Sequence, residues 1–166
     1  MEAIVAVYSD WGIGCYGTQP IVIPADRKRF REITGSSAVL VGRKTMADFP
    51  GGKPLPGRRN YIMSRTLCNI EGTVTVHSVD AAVAATADED RVFVIGGAGV
   101  YAQMLPYIDT VYVTKIDAAP QSDAFFPNLD EDPDFSLAES SEKFMHDGIS
   151  YSYCLYKRTT VWSKNS

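Results

Sequence analysis

The alternation of strand patterns with helical patterns constrains the fold of this chain more than any other feature of its sequence. Runs rich in Val, Ile and Tyr predict strands, and helical patterns separate the earlier ones. Such alternation needs crossover connections and indicates a parallel sheet with helices packed on it. The predicted strands are 3–8, 38–42, 59–64, 73–76, 91–95, 110–116, 135–143 and 149–158, and the predicted helices are 25–34, 43–48, 79–86 and 98–104.

The C-terminal part of the chain breaks this alternation. Two strand patterns follow each other there, with Asp147-Gly148 as the turn between them. A turn of this kind predicts a hairpin, so we expect an α/β fold whose mixed sheet has an antiparallel end. The 166 residues suit one domain, which we expect over 1–160, with 161–166 as a C-terminal tail.

Composition and charge exclude several classes of protein. The net charge of −4 argues against a nucleic-acid-binding protein, and no apolar run is long enough for a membrane helix. Cys15, Cys68 and Cys154 are too far apart for a metal site or a disulfide framework, and with only two histidines we expect no metal. The N-terminus resembles a strand and not a signal peptide, so we expect a cytoplasmic protein.

The segment 9–23 has no periodicity of its own. It contains Gly12, Gly14, Gly17 and Pro20 and lies between a predicted core strand and a predicted helix. Loops of this length are uncommon in compact domains and are often functional. We therefore predict that residues 9–23, here called the first loop, form a mobile lid.

Asp26 begins the helix that follows the first loop, and two interpretations of this carboxylate remain open. Next to Pro24 it resembles an N-terminal acid that offsets the helix dipole, with Arg29 as a surface partner. Asp26, Phe30 and Ile33 also share one helical face, which predicts that the carboxylate is partly buried. A buried carboxylate needs a strong partner or has a raised pKa, as active-site acids often do.

A glycine-rich turn follows the apolar strand 92–95 and leads into a helix. Glycines at this place let the backbone approach a phosphate, and the helix start supplies unpaired N–H groups. Residues 97–102 even fit the G-x-G-x-x-[G/A] pattern of Rossmann domains, with Asp117 twenty residues beyond Gly97. Too little alternating sequence follows for a nucleotide-binding half. The pattern therefore predicts a phosphate-facing turn and no Rossmann domain.

Basic residues follow two other predicted strands. Gly42-Arg43-Lys44-Thr45 comes directly after one strand, and Ser64-Arg65 comes after the next. The first of these segments alone is equally compatible with a simple strand exit that carries exposed basic residues. Arg43 and Arg65 together are suited to clamp a phosphate monoester, the group that distinguishes NADPH from NADH.

These motifs together resemble the dihydrofolate reductase family, and the likeness runs from about Ala3 to Arg158. The ordered set of motifs is far more specific than any one of them. In chain order they are Trp11-Gly12-Ile13-Gly14, Pro24-Ala25-Asp26, Gly42-Arg43-Lys44-Thr45, Pro54-Leu55-Pro56-Gly57-Arg58, Ile95-Gly96-Gly97-Ala98-Gly99-Val100-Tyr101, Thr114-Lys115-Ile116-Asp117 and Tyr151-Ser152-Tyr153.

The resemblance implies a central, mostly parallel eight-stranded sheet with four flanking helices, and NADPH-dependent reduction of 7,8-dihydrofolate to tetrahydrofolate. Asp26 would bind the pterin and govern proton delivery to N5, steadied by Thr114, with Tyr101 near the nicotinamide. The implied substrate-binding residues are Ile4, Val5, Asp26, Arg27, Phe30, Phe49, Arg58, Ile95 and Thr114. The implied cofactor-binding residues are Ala6, Ile13, Gly14, Gly42, Arg43, Lys44, Thr45, Ser64, Arg65, His77, Ile95, Gly96, Gly97, Ala98, Gly99, Val100 and Tyr101.

The resemblance carries further expectations. Arg58 would clamp the glutamate tail of the substrate, and the bond between Gly96 and Gly97 would be cis. Binding of antifolates such as trimethoprim or methotrexate and a monomeric state are also expected.

The chain departs from the family pattern at three places. Ile21 stands where the family usually has a tryptophan, Arg27 replaces a commoner apolar residue, and Gly99 replaces a frequent basic residue.

Three other functions are compatible with parts of the sequence. One is reduction of another pterin or of a ribosylamino-pyrimidine. Arg58 and Asp26 favour folate over these substrates, because they match the two opposite ends of a folate. A dinucleotide-binding module without catalysis is disfavoured by the presence of Asp26, Thr114 and Tyr101. A nucleic-acid module built on 27–29 conflicts with the acidic net charge.

Overall fold

The computed structural model describes residues 1–15, 17–66 and 69–159, so the predicted tail 161–166 and Cys68 lie outside the described residues. Its strands and helices follow the predicted alternation closely. The strands are β1 (Glu2–Val7), β2 (Gly12–Gly14), β3 (Ala38–Gly42), β4 (Arg59–Met63), β5 (Thr73–Val76), β6 (Val92–Gly96), β7 (Thr110–Ile116), β8 (Ala124–Phe125), β9 (Phe135–Ser140), β10 (Phe144–His146) and β11 (Ile149–Arg158); the α-helices are α1 (Pro24–Thr34), α2 (Arg43–Ala47), α3 (Val79–Ala85) and α4 (Ala98–Met104), with 3₁₀ turns at Pro50–Gly52 and Leu105–Tyr107.

The main sheet confirms the expected mixed topology. Its strand order is β10-β11-β7-β1-β6-β3-β4-β5, and β9 also pairs with β11. All pairs from β7 to β5 are parallel, whereas β11 runs antiparallel to β7, β9 and β10. Since β9 and β10 follow each other along one edge of β11, the sheet is eight strands wide.

The predicted strand 135–143 is wrong in its extent, because two shorter strands replace it. β9 ends at Ser140, and β10 begins only at Phe144. Between them, the Ser141 N–H donates to the Tyr153 carbonyl oxygen, and the Ser141 hydroxyl accepts a hydrogen bond from the Tyr153 N–H. A side chain thus takes over one ladder position and interrupts the regular strand.

Helices cover both faces of the sheet. On one face, Phe30 and Ile33 of α1 pack against a cluster of Ile4, Val39 and Phe93. On the other face, side chains of α3 and α4 pack with alternate residues of the same strands; this cluster includes Ala3, Val5, Leu40, Val94, Ala82, Val100, Tyr101 and Met104. Burial on both faces explains why the central strands are almost continuously apolar. The longest α-helix, α1, has 11 residues, and no helix in the described ranges is long and apolar enough to cross a membrane.

The first loop is less irregular than predicted. Its residues Gly12–Gly14 form β2, which pairs with the two-residue strand β8. Two further backbone hydrogen bonds extend this contact, from the Asp123 N–H to the Gly14 oxygen and from the Phe126 N–H to the Trp11 oxygen. Strands this short show no periodicity in the sequence, which is why the pairing was not predicted. Whether the loop moves as a lid stays a prediction.

Candidate active site

Asp26 reaches from the first turn of α1 to strand β7. Its Oδ1 accepts a hydrogen bond of 2.5 Å from the Thr114 hydroxyl, 88 residues away in the sequence. Thr114 is buried, and the Asp26 side chain is half-buried. Burial raises the pKa of the Asp26 carboxyl above its ordinary value, and the Thr114 hydrogen bond and the charge of Arg29 offset only part of that effect. The buried interpretation of Asp26 is therefore the one that the structure supports.

Arg29 does not act as the surface ion-pair partner considered for Asp26. Its guanidinium carbon lies 4.0 Å from the centroid of the Tyr153 ring, a cation–π contact. From there its positive charge still favours the ionised form of Asp26. The carboxylate thus has a neutral hydrogen-bond partner and a cation that acts through space.

Tyr101 lies against the central strand β1, on the face of the sheet that α3 and α4 cover. Its ring is 4% exposed and its hydroxyl donates to the Ile4 carbonyl oxygen at 2.7 Å. The ring also packs edge-on against Phe126, with 4.9 Å between centroids. Burial first, and the negative charge of Asp26 second, raise the pKa of Tyr101 far above its usual value, so the phenol stays neutral.

Most of the apolar residues predicted to bind substrate lie together in two adjoining clusters that share Ile95. Phe30, Ile95 and Ile4 pack in one cluster, and Phe49 packs with Ile95 in the adjoining one. Val5 differs, because its side chain packs on the opposite face with Val100 and Tyr101. Alternation along a strand sends neighbouring side chains to opposite faces, which separates Val5 from Ile4. Arg27 is exposed on α1.

Arg58 lies next to the C-terminal end of α1. Within the described part of the chain, all of its hydrogen-bond partners are neutral acceptors. Its Nε donates to the Thr34 hydroxyl at 2.9 Å, and its terminal nitrogens donate to the carbonyl oxygens of Pro56 and Arg31. These contacts fix the plane of the guanidinium without neutralising its charge. Sequence reasoning missed Thr34, whose only signal was its place at the end of the helix that carries Asp26.

The glycine turns after β3 and β6 meet at the carboxyl edge of the sheet. The bond between Gly96 and Gly97 is cis, as expected. A Cβ on Gly97 would lie 2.9 Å from the Thr45 hydroxyl, and a Cβ on Gly42 would lie 3.1 Å from Val100. A Cβ at Gly42 or Gly97 would collide with a side chain of the facing turn, so glycine at these two positions lets the turns pack closely together.

The residues predicted to bind a phosphate monoester form one exposed group. The guanidinium of Arg43 donates to the Thr66 hydroxyl at 3.1 Å, and the Thr66 N–H donates to the Ser64 hydroxyl. His77 Nδ1 lies 2.8 Å from the Ser64 carbonyl oxygen, and Arg65 is exposed next to it in the chain. Thr66 was missed from the sequence, although it directly follows the Ser64-Arg65 pair.

The remaining predicted cofactor residues lie around the same edge. Gly14 is buried and Ile13 half-buried in β2, Ala6 is half-buried near the end of β1, and Lys44 is exposed on α2. Asp117, the candidate ribose-binding acid of a Rossmann domain, forms an ion pair of 2.8 Å with Lys143 instead. This pairing agrees with the conclusion that the chain has no Rossmann domain.

Comparisons with known proteins agree with this geometry. A family model described as dihydrofolate reductase matches residues 1–158. A dihydrofolate reductase of Neisseria meningitidis serogroup A is 34% identical over 157 residues, covering 93% of this chain and 96% of that protein. One of Haemophilus influenzae is 38% identical over 126 residues, covering 76% and 78%.

A solved structure is similar throughout. Dihydrofolate reductase from Enterococcus faecalis, complexed with NADP(H) and RAB-propyl, has a TM-score of 0.85 and 29% identity, with 96% of each chain covered. Fold, site geometry and relatives lead to the same conclusion: the chain belongs to the dihydrofolate reductase family.

Proposed function

We propose that this protein reduces 7,8-dihydrofolate to 5,6,7,8-tetrahydrofolate with NADPH, in support of one-carbon metabolism and of thymidylate and purine synthesis. The observation that carries the proposal is Asp26, a half-buried carboxylate with a raised pKa whose Oδ1 accepts a hydrogen bond from the buried Thr114. This is the only acid of the predicted site, and its environment suits both binding and proton control.

The carboxylate of Asp26 is suited to bind the pterin ring at two points. Thr114 uses one lone pair on Oδ1, so Oδ2 and the remaining Oδ1 lone pair are available for two parallel N–H donors. The pterin offers such a pair in its N3–H and 2-amino groups. The cluster around Ile4, Phe30 and Ile95 supplies an apolar surface for the rest of the ring.

Asp26 also controls the proton that N5 needs. Because burial raises its pKa, the carboxyl group stays protonated to a higher pH than a free aspartic acid. Turnover should accordingly fall as the pH rises through this raised pKa. The proton would pass through water, since the carboxylate itself binds the opposite side of the ring.

The turns at the carboxyl edge fit NADPH, which supplies the hydride that C6 receives. Gly42 and Gly97 let the two turns pack closely, and a Cβ on Gly99 would meet only Gln103 at 4.0 Å, which leaves the backbone at the start of α4 accessible to a pyrophosphate. Arg43, Ser64 and Thr66 form a polar group suited to the adenosine 2′-phosphate, with Arg65 and His77 adjacent. Tyr101 stays neutral and positions the Ile4 carbonyl oxygen near the nicotinamide.

The proposal extends to partners and location. We expect antifolates such as trimethoprim and methotrexate to compete with dihydrofolate for Asp26, because their diaminopyrimidine and diaminopteridine rings present parallel donors. A monomer in the cytoplasm is the expected state.

Steady-state turnover of purified protein with NADPH and dihydrofolate tests the proposal. The wild type should consume NADPH only when dihydrofolate is present. Asp26→Asn should lower turnover at neutral pH by about a hundredfold or more, because the amide cannot accept two donors or exchange the proton. Asp80→Asn is the matched control, since Asp80 is also a first-turn acid but is exposed on α3. Equal activity of both variants would refute the role of Asp26.

A further inference from the structure

Tyr8 makes an unusual pair of hydrogen bonds across the two ends of the first loop. Its hydroxyl donates to the carbonyl oxygen of Ile21 at 3.1 Å and accepts the N–H of the same residue at 3.0 Å. One side-chain oxygen therefore satisfies both backbone groups of a residue that belongs to no strand or helix. In a sheet, a neighbouring strand would bond both the N–H and the C=O of such a residue. Here the Tyr8 hydroxyl takes the place of that strand.

The ring of Tyr8 is firmly held. It is 4% exposed and packs in a cluster with Ile23, Ile116 and Tyr151. Its own backbone closes the start of the loop, because the Tyr8 N–H donates to the Gly12 oxygen at 2.9 Å. A buried ring gives the hydroxyl little freedom, so the position of Ile21 is fixed relative to the sheet.

The fastened segment leads directly to Asp26. Ile23, two residues after Ile21, accepts the Asp26 N–H through its carbonyl oxygen at 3.0 Å. Ala6, two residues before Tyr8, lies opposite Thr114 in the register of β1 and β7. Tyr8 is thus connected to both members of the Asp26–Thr114 pair, along one strand and along one stretch of loop.

We propose that Tyr8 is a positioning residue for the reaction: its hydroxyl fastens the end of the first loop at Ile21 and so keeps that segment closed beside Asp26. The inference rests on the proposed reductase function. It also addresses the departure at Ile21, where an apolar side chain stands in place of the family's tryptophan. Here the loop is held through its backbone, by the tyrosine that directly follows β1.

If Ile21 loses its hydrogen bonds to Tyr8, the carboxyl group of Asp26 should become more exposed to water. The groups that face Asp26 are Thr114 from β7, Arg29 from α1, Tyr101 from α4 and Tyr153 from β11. Tyr153 packs in the same apolar cluster as Tyr8 and Ile21, and the Arg29 guanidinium lies over the Tyr153 ring. More water would reach the carboxyl group, and desolvation, the main cause of its raised pKa, would decrease.

The test is Tyr8→Phe, which keeps the buried ring and removes both hydrogen bonds. We expect turnover of dihydrofolate to fall roughly five- to tenfold, because Ile21 then exchanges its fixed partner for water. The alkaline decline of turnover should begin about half a pH unit lower, since the pKa of Asp26 falls. The dissociation constant of NADPH should stay unchanged within error.

Tyr61→Phe is the matched control. Tyr61 is also a buried tyrosine, 9% exposed, and its hydroxyl donates at 2.8 Å to Glu89, away from Asp26. If both variants lose stability alike and neither shifts the pH profile, Tyr8 has only a structural role and the inference is overturned. Wild-type turnover is measured in the same series, so failure of the reductase function itself would be seen separately.

Amide hydrogen exchange in the wild type tests the same inference without a variant. The Ile21 N–H has Tyr8 as its hydrogen-bond acceptor, so its protection reports the closed loop end. We expect Ile21 to exchange clearly more slowly than the exposed Val22 beside it. Exchange of Ile21 as fast as that of Val22 would overturn the inference even if Tyr8→Phe failed to fold.

Discussion

Two ion pairs at the amino edge of the main sheet, where its parallel strands begin, contrast with Asp26, which lies toward the carboxyl edge, where these strands end. At the amino edge, Arg91 binds Glu2 through two hydrogen bonds of 2.8 Å, and Arg59 binds Glu89. At the carboxyl edge, Asp26 meets the neutral hydroxyl of Thr114. The two ion pairs at the amino edge neutralise their charges internally, whereas Asp26 has no ion-pair partner among the described residues.

Arg58 and Arg59, which are adjacent in the sequence, show the same contrast between a neutral and a charged partner. Arg58 donates to a hydroxyl and to carbonyl oxygens, while Arg59 donates to the carboxylate of Glu89. Residue type alone thus does not say whether a cation serves structure or binding. The charge of the hydrogen-bond partner distinguishes the two cases.

Among the basic side chains, the largest effect should come from Arg43 and Arg65 at the carboxyl edge. Neutralising both Arg43 and Arg65 to Gln should weaken NADPH binding by about ten- to a hundredfold, because the 2′-phosphate loses charge-assisted hydrogen bonds. NADH lacks that phosphate, so its affinity should change far less. Equilibrium titration with both nucleotides measures this, and Arg91→Gln is the control. Equal losses for NADPH and NADH would contradict the assignment.

Arg58 and Arg59 provide the next test. Arg58→Gln should raise the KM for dihydrofolate by roughly tenfold or more, since a carboxylate of the substrate loses its cationic partner. Arg59→Gln should leave KM unchanged, because its charge is already paired with Glu89. Steady-state kinetics on the two variants give the comparison directly. A similar rise in KM for both would show that pairing does not separate their roles.

A smaller effect is expected from Arg29. Its positive charge lowers the pKa of Asp26, so Arg29→Gln should raise that pKa further. The protonated acid then persists to higher pH, and the alkaline decline of turnover should move upward by about half a unit. Lys28→Gln is the control, because Lys28 faces Glu32 at 3.9 Å on the exposed side of α1. A downward shift for Arg29→Gln would contradict this electrostatic account.

The smallest effect should be found at the amino edge. Glu2→Gln removes the ion pair with Arg91, whose side chain is 47% exposed and therefore screened by water. The free energy of unfolding should fall by about 0.2–1 kcal/mol, while turnover stays unchanged. Urea unfolding together with an activity assay checks both parts. A marked loss of turnover would mean that the amino edge also takes part in the reaction.

Local sequence determined most of the secondary structure. Strands 38–42 and 73–76 were predicted with the observed limits, because apolar β-branched runs favour strands regardless of distant residues. The glycine turns were also predicted, since the need for close backbone approach is visible in the residues themselves. The helix start at Pro24 and the place of Asp26 in its first turn followed from the chain's own pattern.

Tertiary structure decided the partners. The pairing of β2 with β8, the contact of Arg43 with Thr66 and the hold of Tyr8 on Ile21 left no local pattern in the sequence. Each joins segments that only the packing of the sheet brings within hydrogen-bond distance. Asp26 is the clearest case: its place in the first turn of α1 was predicted from the sequence, but only the fold shows that it is partly buried against Thr114 and not merely a surface acid at a helix start. A side chain's type is local, whereas its solvation and its partner depend on the whole fold.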